Sequence, residues 1–285
     1  MQIALNSYSL RKELASGDLS FENESFVTFI SKLELNGLEL WANHMESQGW
    51  DESEPDFHEF QDTMKEHAME IFALCVENGI TGTPKPEYLA DKTWMDSVRE
   101  INMERYSYGQ LYLDIAREFD IPFVRFCYGP GWFGYKIPIS KAIEFNVELA
   151  SELYGALCEH TKNSPVSLCI ENHSAITADP VFISNLLDIL RSLKVTLDLG
   201  NLPENKTAFI KEIVKRNRIG YVHAKFHEII QEQEGFFKEK YINYKNLIKK
   251  LKEANYDGIY SIEWAGPEDA KKGIENAVKI LKQSQ

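Results

Sequence analysis

Hydrophobic residues along this chain fall into eight short runs, separated by longer stretches in which they recur at helical spacing. The short runs, at residues 3–7, 37–41, 71–76, 122–128, 166–171, 194–198, 220–225 and 258–264, read as strands. Between them, 25–35 carries Phe26, Phe29, Ile30 and Leu33 on one face, with Gly37 as a stop signal just beyond. Residues 111–119, 140–160, 179–190, 205–215, 244–253 and 267–281 repeat the helical pattern, and Pro180, Pro203 and Pro267 sit where helices begin. Strands alternating with helices predict a parallel sheet, and eight such units predict a closed (β/α)8 barrel, a single domain over residues 1–285. The open doubly wound sheet is the alternative, but no GxGxxG fingerprint follows the first strand.

The last four strands share a further property. They read SLCIENH, VTLDLGN, YVHAKF and YSIEWAG, and each carries near its C-terminal end a residue that ligates metals: Glu171, Asp198, His223 and Glu263. Side chains alternate along a strand. Ser167, Cys169 and Glu171 therefore share a face, as do Thr196 and Asp198, Tyr221, His223 and Lys225, and Ile259, Ser261 and Glu263. The opposite faces are mostly apolar, as packing against helices requires. An acid at the end of a buried strand is costly unless it is paired or metal-bound. The C-terminal ends of barrel strands meet over one axis. Three carboxylates and one imidazole there suit a divalent ion such as Mn²⁺, Mg²⁺ or Co²⁺, with Zn²⁺ also admissible.

Composition narrows the partners. The 285 residues are 44% hydrophobic, enough for a substantial core, and carry a formal charge of −13. That charge argues against nucleic acid and against an anionic membrane surface. No run approaches the ~18 apolar residues of a membrane span. The opening MQIALNSYSLRKEL has no secretion-signal pattern. Cys75, Cys127, Cys158 and Cys169 show no CxxC or zinc spacing and read as reduced, buried thiols of a cytoplasmic protein. Three long connections, 43–57, 77–94 and 128–138 (the last containing YGPGWFGYKIP), follow the second, third and fourth strands and are expected as walls or lids over the active face.

The order Glu, Asp, His, Glu on the last four strands, with HAK and SIEW at the seventh and eighth, resembles the xylose isomerase-like TIM barrels, and within them the sugar phosphate isomerase/epimerase family. The likeness runs from ALNSYSL and GLEL at the first two strands to the last helix and is strongest over 166–266, where successive ligands are 27, 25 and 40 residues apart. Ketose epimerases and abasic-site endonucleases of this superfamily usually carry a His three residues after the sixth-strand Asp; here that residue is Asn201. Ketose epimerases also tend to have an Arg six residues past the seventh-strand His, where this chain has Ile229. Both departures weigh against a direct transfer of those two activities.

The resemblance implies a metal-dependent sugar or sugar-phosphate isomerase or epimerase working through an enediolate. Glu171 and Glu263 would be the acid/base pair and also ligands, with Asp198 and His223 as ligands only. The bland alternative for the glutamates is a pair of buried ion pairs with Arg125 and Lys225, and for Asp198 a turn cap. Lys225, His173, Asn201, Arg125, Trp41, His44 and Trp264 are the candidates to line a sugar or polyol substrate, with Arg125 also expected to pair with a ligand carboxylate. Glu39 in GLELW is expected to face inward and bond Arg125 or Lys225. Trp132 and Phe133 are further wall candidates, and a homo-oligomer is admissible. Competing functions are a dehydratase of a cyclic polyol or keto-acid on the same fold, an abasic-site endonuclease, and a non-catalytic sugar-binding barrel.

Overall fold

A computed structural model describes residues 1–22, 25–51, 54–76, 92–128, 139–174, 176–202 and 206–285. Its strands are β1 (Gln2–Asn6), β2 (Gly37–Trp41), β3 (Glu70–Val76), β4 (Phe123–Phe126), β5 (Ser167–Glu171), β6 (Lys194–Asp198), β7 (Ile219–Phe226), β8 (Ile229–Gln233), β9 (Phe236–Glu239) and β10 (Ile259–Trp264). Eight of them close a barrel in the order β1-β10-β7-β6-β5-β4-β3-β2, and β8 and β9 form a separate two-stranded sheet. The helices are α1 (Arg11–Ser16), α2 (Ser25–Ser31), α3 (Ala42–Ser47), α4 (Glu54–Glu66), α5 (Lys92–Glu118), α6 (Ile139–His160), α7 (Pro180–Ile189), α8 (Lys206–Lys215), α9 (Tyr244–Glu253) and α10 (Ala270–Gln283). The chain divides into two compact units, residues 1–75 with 221–285, and residues 76–220.

In the first unit, β1 pairs in parallel with both β2 and β10, and β10 pairs with β7 so that Ser261 lies beside His223 and Glu263 beside Lys225. That register places the inward residues of neighbouring strands level with one another, the condition for side chains to meet above the strand ends. Outside, Trp264 is 2% exposed and lies against α10, where a Cβ on Gly273 would stand 2.5 Å from the indole. Only glycine admits so close a helix–ring approach.

In the second unit, β4 pairs with β5 and β5 with β6, with Arg125 level with Cys169 and Glu171 level with Thr196. Helix α7 begins as the sequence signals predict: Asp179 accepts from the backbone N–H groups of Val181 and Phe182, and Pro180 follows it. Tyr154 of α6, fully buried, donates its hydroxyl to the carbonyl of Phe126 at 2.6 Å and so braces the end of β4.

Four elements differ from the sequence expectation. Residues 43–57, expected as a long connection, hold α3 and the start of α4, with Trp50 stacked on Phe60 at 4.4 Å. Met45, Phe57 and Phe60 go inward, while Ser47 and Asp56 are exposed. Helix α5 begins at Lys92 rather than near 111, because charged residues such as Asp96, Arg99, Glu100 and Glu104 break up the apolar pattern of the sequence ahead of 111. The last helix is capped by Asp269 and starts at Ala270, three residues after Pro267. The β8–β9 hairpin was not expected: its strands are short and largely exposed, and it turns through Gly235 at φ 77°. Most of the connection 77–94, nearly all of 128–138 with Trp132 and Phe133, and Pro203 lie outside the described residues.

Candidate metal centre

Glu171, the last residue of β5, is 0% exposed. Its Oε2 accepts from Arg125 Nη1 of β4, itself 1% exposed, in an ion pair with almost no access to water. The same Nη1 lies 2.6 Å from Cys127 Sγ, whose thiol lies 3.6 Å from Glu171 Oε2. Asp198 ends β6, also at 0% exposure. Oδ1 accepts from the backbone N–H of Gly200 at 2.6 Å and of Asn201 at 3.1 Å, and Oδ2 accepts from Asn201 Nδ2 at 2.6 Å. Asp198 therefore caps the turn after its strand while presenting its carboxylate, and Asn201 orients it.

Asn172 was missed in the sequence. It is buried, donates Nδ2 to the Asp198 carbonyl at 2.9 Å and accepts the Asp198 N–H at 2.7 Å, tying the ends of β5 and β6 together. It follows Glu171 directly, where β5 ends and the strand alternation that would assign it a face ends too. For the same reason His173, expected on the side of Glu171, is instead exposed beyond the strand.

In the other unit, His223 on β7 is 0% exposed and Glu263 on β10 is 8% exposed. Nδ1 of His223 lies 3.4 Å from Glu263 Oε2, and Lys225 Nζ lies 2.8 Å from Glu263 Oε1. Helix α9 supports this strand from outside, where Tyr244 donates its hydroxyl to the Lys225 carbonyl at 2.5 Å. Glu39 faces inward, as expected, and meets Tyr221, His223 and Ser261 at 2.7–2.9 Å. Ser261 and His223 are level with each other and with Gly37, two residues before Glu39, so the Glu39 side chain reaches back along the inner face to meet them.

Ligand atoms from Glu171, Asp198, His223 and Glu263 lie within 4.8 Å of one another, and all four residues are buried. Two donors each about 2.0–2.6 Å from one divalent ion can be at most about 4–5 Å apart, so this spread fits a common ion. The donor chemistry fits as well: hard carboxylate oxygens with one imidazole suit Mn²⁺, Mg²⁺, Co²⁺ or Zn²⁺. Both ion pairs of the bland alternative are present beside the cluster, because converging carboxylates need cations nearby whether or not a metal is bound.

The aromatic candidates divide. Trp41, half-buried at the end of β2, packs edge-on to Tyr8 at 5.0 Å and to His44 at 4.9 Å. His44 is 7% exposed, with Nδ1 3.0 Å from Ser7 Oγ; desolvation, aided by the charge of Arg11, lowers its pKa to about 4. It is a neutral ring in this cluster at ordinary pH. Trp264, expected as part of a sugar wall, is instead on the outward face of β10 with Tyr260 and Ile262, against Gly273 of α10. Strand alternation excludes it from the face that carries Glu263. The four cysteines are buried and none is in a disulfide.

Residues 27–284 match the sequence model of the xylose isomerase-like TIM barrels, and the chain belongs to that family. No curated protein matches it in sequence. Among solved structures it is similar to the probable 3-DHS dehydratase AsbF of Bacillus anthracis, at 19% identity over 99% of both chains and a TM-score of 0.64. A sugar phosphate isomerase/epimerase of Parabacteroides distasonis aligns at 15% identity over 99% of this chain and 95% of its own, with a TM-score of 0.61. The IOLI protein, described with a bound zinc atom, aligns at 15% identity over 100% of this chain and 96% of its own, with a TM-score of 0.64. At these identities the likeness establishes the fold. No helix among the described residues is long and apolar enough to cross a membrane.

Proposed function

We propose that this protein is a divalent-metal-dependent isomerase or epimerase of a sugar or sugar phosphate. The observation that carries the reading is the convergence of Glu171, Asp198, His223 and Glu263 to within 4.8 Å, with each glutamate in its own ion pair, to Arg125 and to Lys225. A divalent ion held by these four residues would polarise a substrate carbonyl and its neighbouring hydroxyl and stabilise the negative charge that develops when an adjacent C–H proton leaves.

The remaining work falls to side chains of this chain. One glutamate takes the proton from the carbon beside the carbonyl, and the second returns a proton at the neighbouring carbon or on the opposite face. Asp198 has both oxygens engaged by the Gly200–Asn201 turn, which suits a fixed ligand better than a group that moves protons. Lys225, held at Glu263, would meet a substrate hydroxyl or phosphate oxygen. Trp41, at the end of β2 in the same unit, would supply an apolar surface.

The test is solvent deuterium incorporation into ketoses and ketose phosphates, measured with EDTA and then with Mn²⁺, Mg²⁺, Co²⁺ or Zn²⁺. Metal-dependent exchange at the carbon beside the carbonyl is expected. Loss of water from a cyclic polyol or keto-acid without sugar exchange would move the protein to dehydratase chemistry, the activity for which its structural neighbour AsbF is named. Metal-independent exchange would defeat the proposal.

A further inference from the structure

Glu39 has a position that neither the ligand set nor the acid/base pair explains. It lies on β2 at 0% exposure, in the same compact unit as His223 and Glu263. Its Oε1 accepts from Tyr221 Oη at 2.8 Å and from His223 Nε2 at 2.9 Å; its Oε2 accepts from His223 Nε2 at 2.8 Å and from Ser261 Oγ at 2.7 Å. A buried carboxylate surrounded by three convergent donors is fixed in place.

That arrangement decides a question the four ligand residues leave open, namely which ring nitrogen of His223 is the donor atom. An ionised carboxylate only accepts, and a neutral imidazole carries one N–H. With Nε2 shared between both oxygens of Glu39, the proton sits on Nε2 and the lone pair on Nδ1. Nδ1 is also the atom that lies 3.4 Å from Glu263 Oε2. Histidines that bind metals generally donate their second N–H to a carboxylate or carbonyl, which sets both tautomer and ring plane. We infer that Glu39 is the positioning residue of the metal centre: it holds His223 as the Nε2–H tautomer so that Nδ1 is the ligand atom, and Tyr221 and Ser261 hold Glu39.

A glutamine is a poorer substitute: its single amide oxygen would have to serve Tyr221 and His223 together, its NH₂ group would turn to the Ser261 hydroxyl, and it carries no charge to raise the basicity of the imidazole. Simple charge neutralisation within the core would give a different result, because it would place no constraint on which nitrogen binds.

The inference rests on the metal reading above, and one experiment separates the two. Protein labelled with ¹⁵N in histidine is loaded with ¹¹³Cd²⁺, and the ¹¹³Cd–¹⁵N coupling and the ring protonation of His223 are read by NMR. Coupling to Nδ1 with the proton retained on Nε2 is expected. In Glu39→Gln, Mn²⁺ affinity measured by competition with a chelator should fall by about 10–100-fold, while metal-free Ser261→Ala and Glu39→Gln are checked for folding by circular dichroism. Ser261→Ala, which leaves the Glu39–His223 contact, should lose less affinity than Glu39→Gln. Coupling to Nε2, or a folded Glu39→Gln with wild-type affinity, overturns the inference alone. A wild-type protein that takes up no ¹¹³Cd²⁺ and no Mn²⁺ overturns the metal reading and the inference with it.

Discussion

Lys225 Nζ lies 2.8 Å from Glu263 Oε1, with both side chains only about a tenth exposed, at 12% and 11%. The other oxygen of Glu263 faces Nδ1 of His223. A protonated ammonium cannot be a metal ligand, so the lysine compensates the carboxylate without competing for an ion.

Lys225→Met keeps the stem and removes the charge, and its effect should depend on metal. Removing one partner of a fully buried pair costs about 3–5 kcal/mol. For this partly wetted pair we expect about 1–3 kcal/mol in EDTA and a smaller loss with saturating Mn²⁺, where the ion takes over the compensation. Thermal unfolding of both proteins with and without metal measures it. Equal losses in the two conditions would mean that Lys225 and the ion do not share Glu263.

His44 should leave a mark on acid stability. Its folded pKa is lowered to about 4 from an ordinary 6.5, because burial penalises the charged ring. Between those values the unfolded chain binds a proton that the folded protein refuses. The contribution is therefore fully present above about pH 6.5 and is lost as pH falls toward 4, by up to about 3 kcal/mol. Denaturant unfolding at several pH values, compared with His44→Gln, should show the wild type losing stability faster across that window. Parallel slopes would rule out His44 as the titrating group.

Packing around Trp264 supports a third prediction. At Gly273 the missing Cβ would stand 2.5 Å from the indole, and Trp264 has no free end to swing aside. Overpacking costs about 1–3 kcal/mol, against a helix-propensity gain of up to about 1 kcal/mol for Gly→Ala. Gly273→Ala should be destabilising on balance and lower the melting temperature by several degrees. Gly155→Ala is the control: its Cβ would meet Leu190 at an ordinary 3.5 Å, so that variant should be neutral or more stable.

Why some of this was legible in the sequence and some was not follows from the physics of each element. The barrel strands are short buried runs, and their ends came within a residue or two of 37–41, 166–171, 194–198 and 258–264. The four ligand-type residues were legible because each lies at or near the end of such a run and barrel topology brings strand ends together. Asn172 and His173 were not, since the two-residue alternation stops where the strand stops. Trp264 was open to correction by the same alternation, which assigns it to the outer face. The partners of Glu39 depend on relative strand register, a long-range quantity that no local pattern carries. The β8–β9 hairpin escaped because exposed strands such as IIQEQ have no core face to declare them.

Glu263 and Asp198 are the pair whose variants separate acid/base chemistry from ligation. Glu263→Gln keeps the shape and one carbonyl oxygen but cannot accept a substrate proton. General acid–base catalysis supplies about 10²–10⁴-fold, so turnover should fall by at least that much, with weakened metal binding adding to the loss. Asp198→Asn removes one carboxylate oxygen and places an NH₂ against either the Gly200 and Asn201 N–H groups or the Asn201 amide. Its apparent metal affinity should drop by at least about tenfold, and high metal should restore part of the activity. The measurement is activity against Mn²⁺ concentration for both variants, together with solvent deuterium incorporation into the sugar. A Glu263→Gln enzyme that still exchanged the substrate proton at near wild-type rate would reduce Glu263 to a ligand, and the proton would have to be moved by Glu171 acting alone.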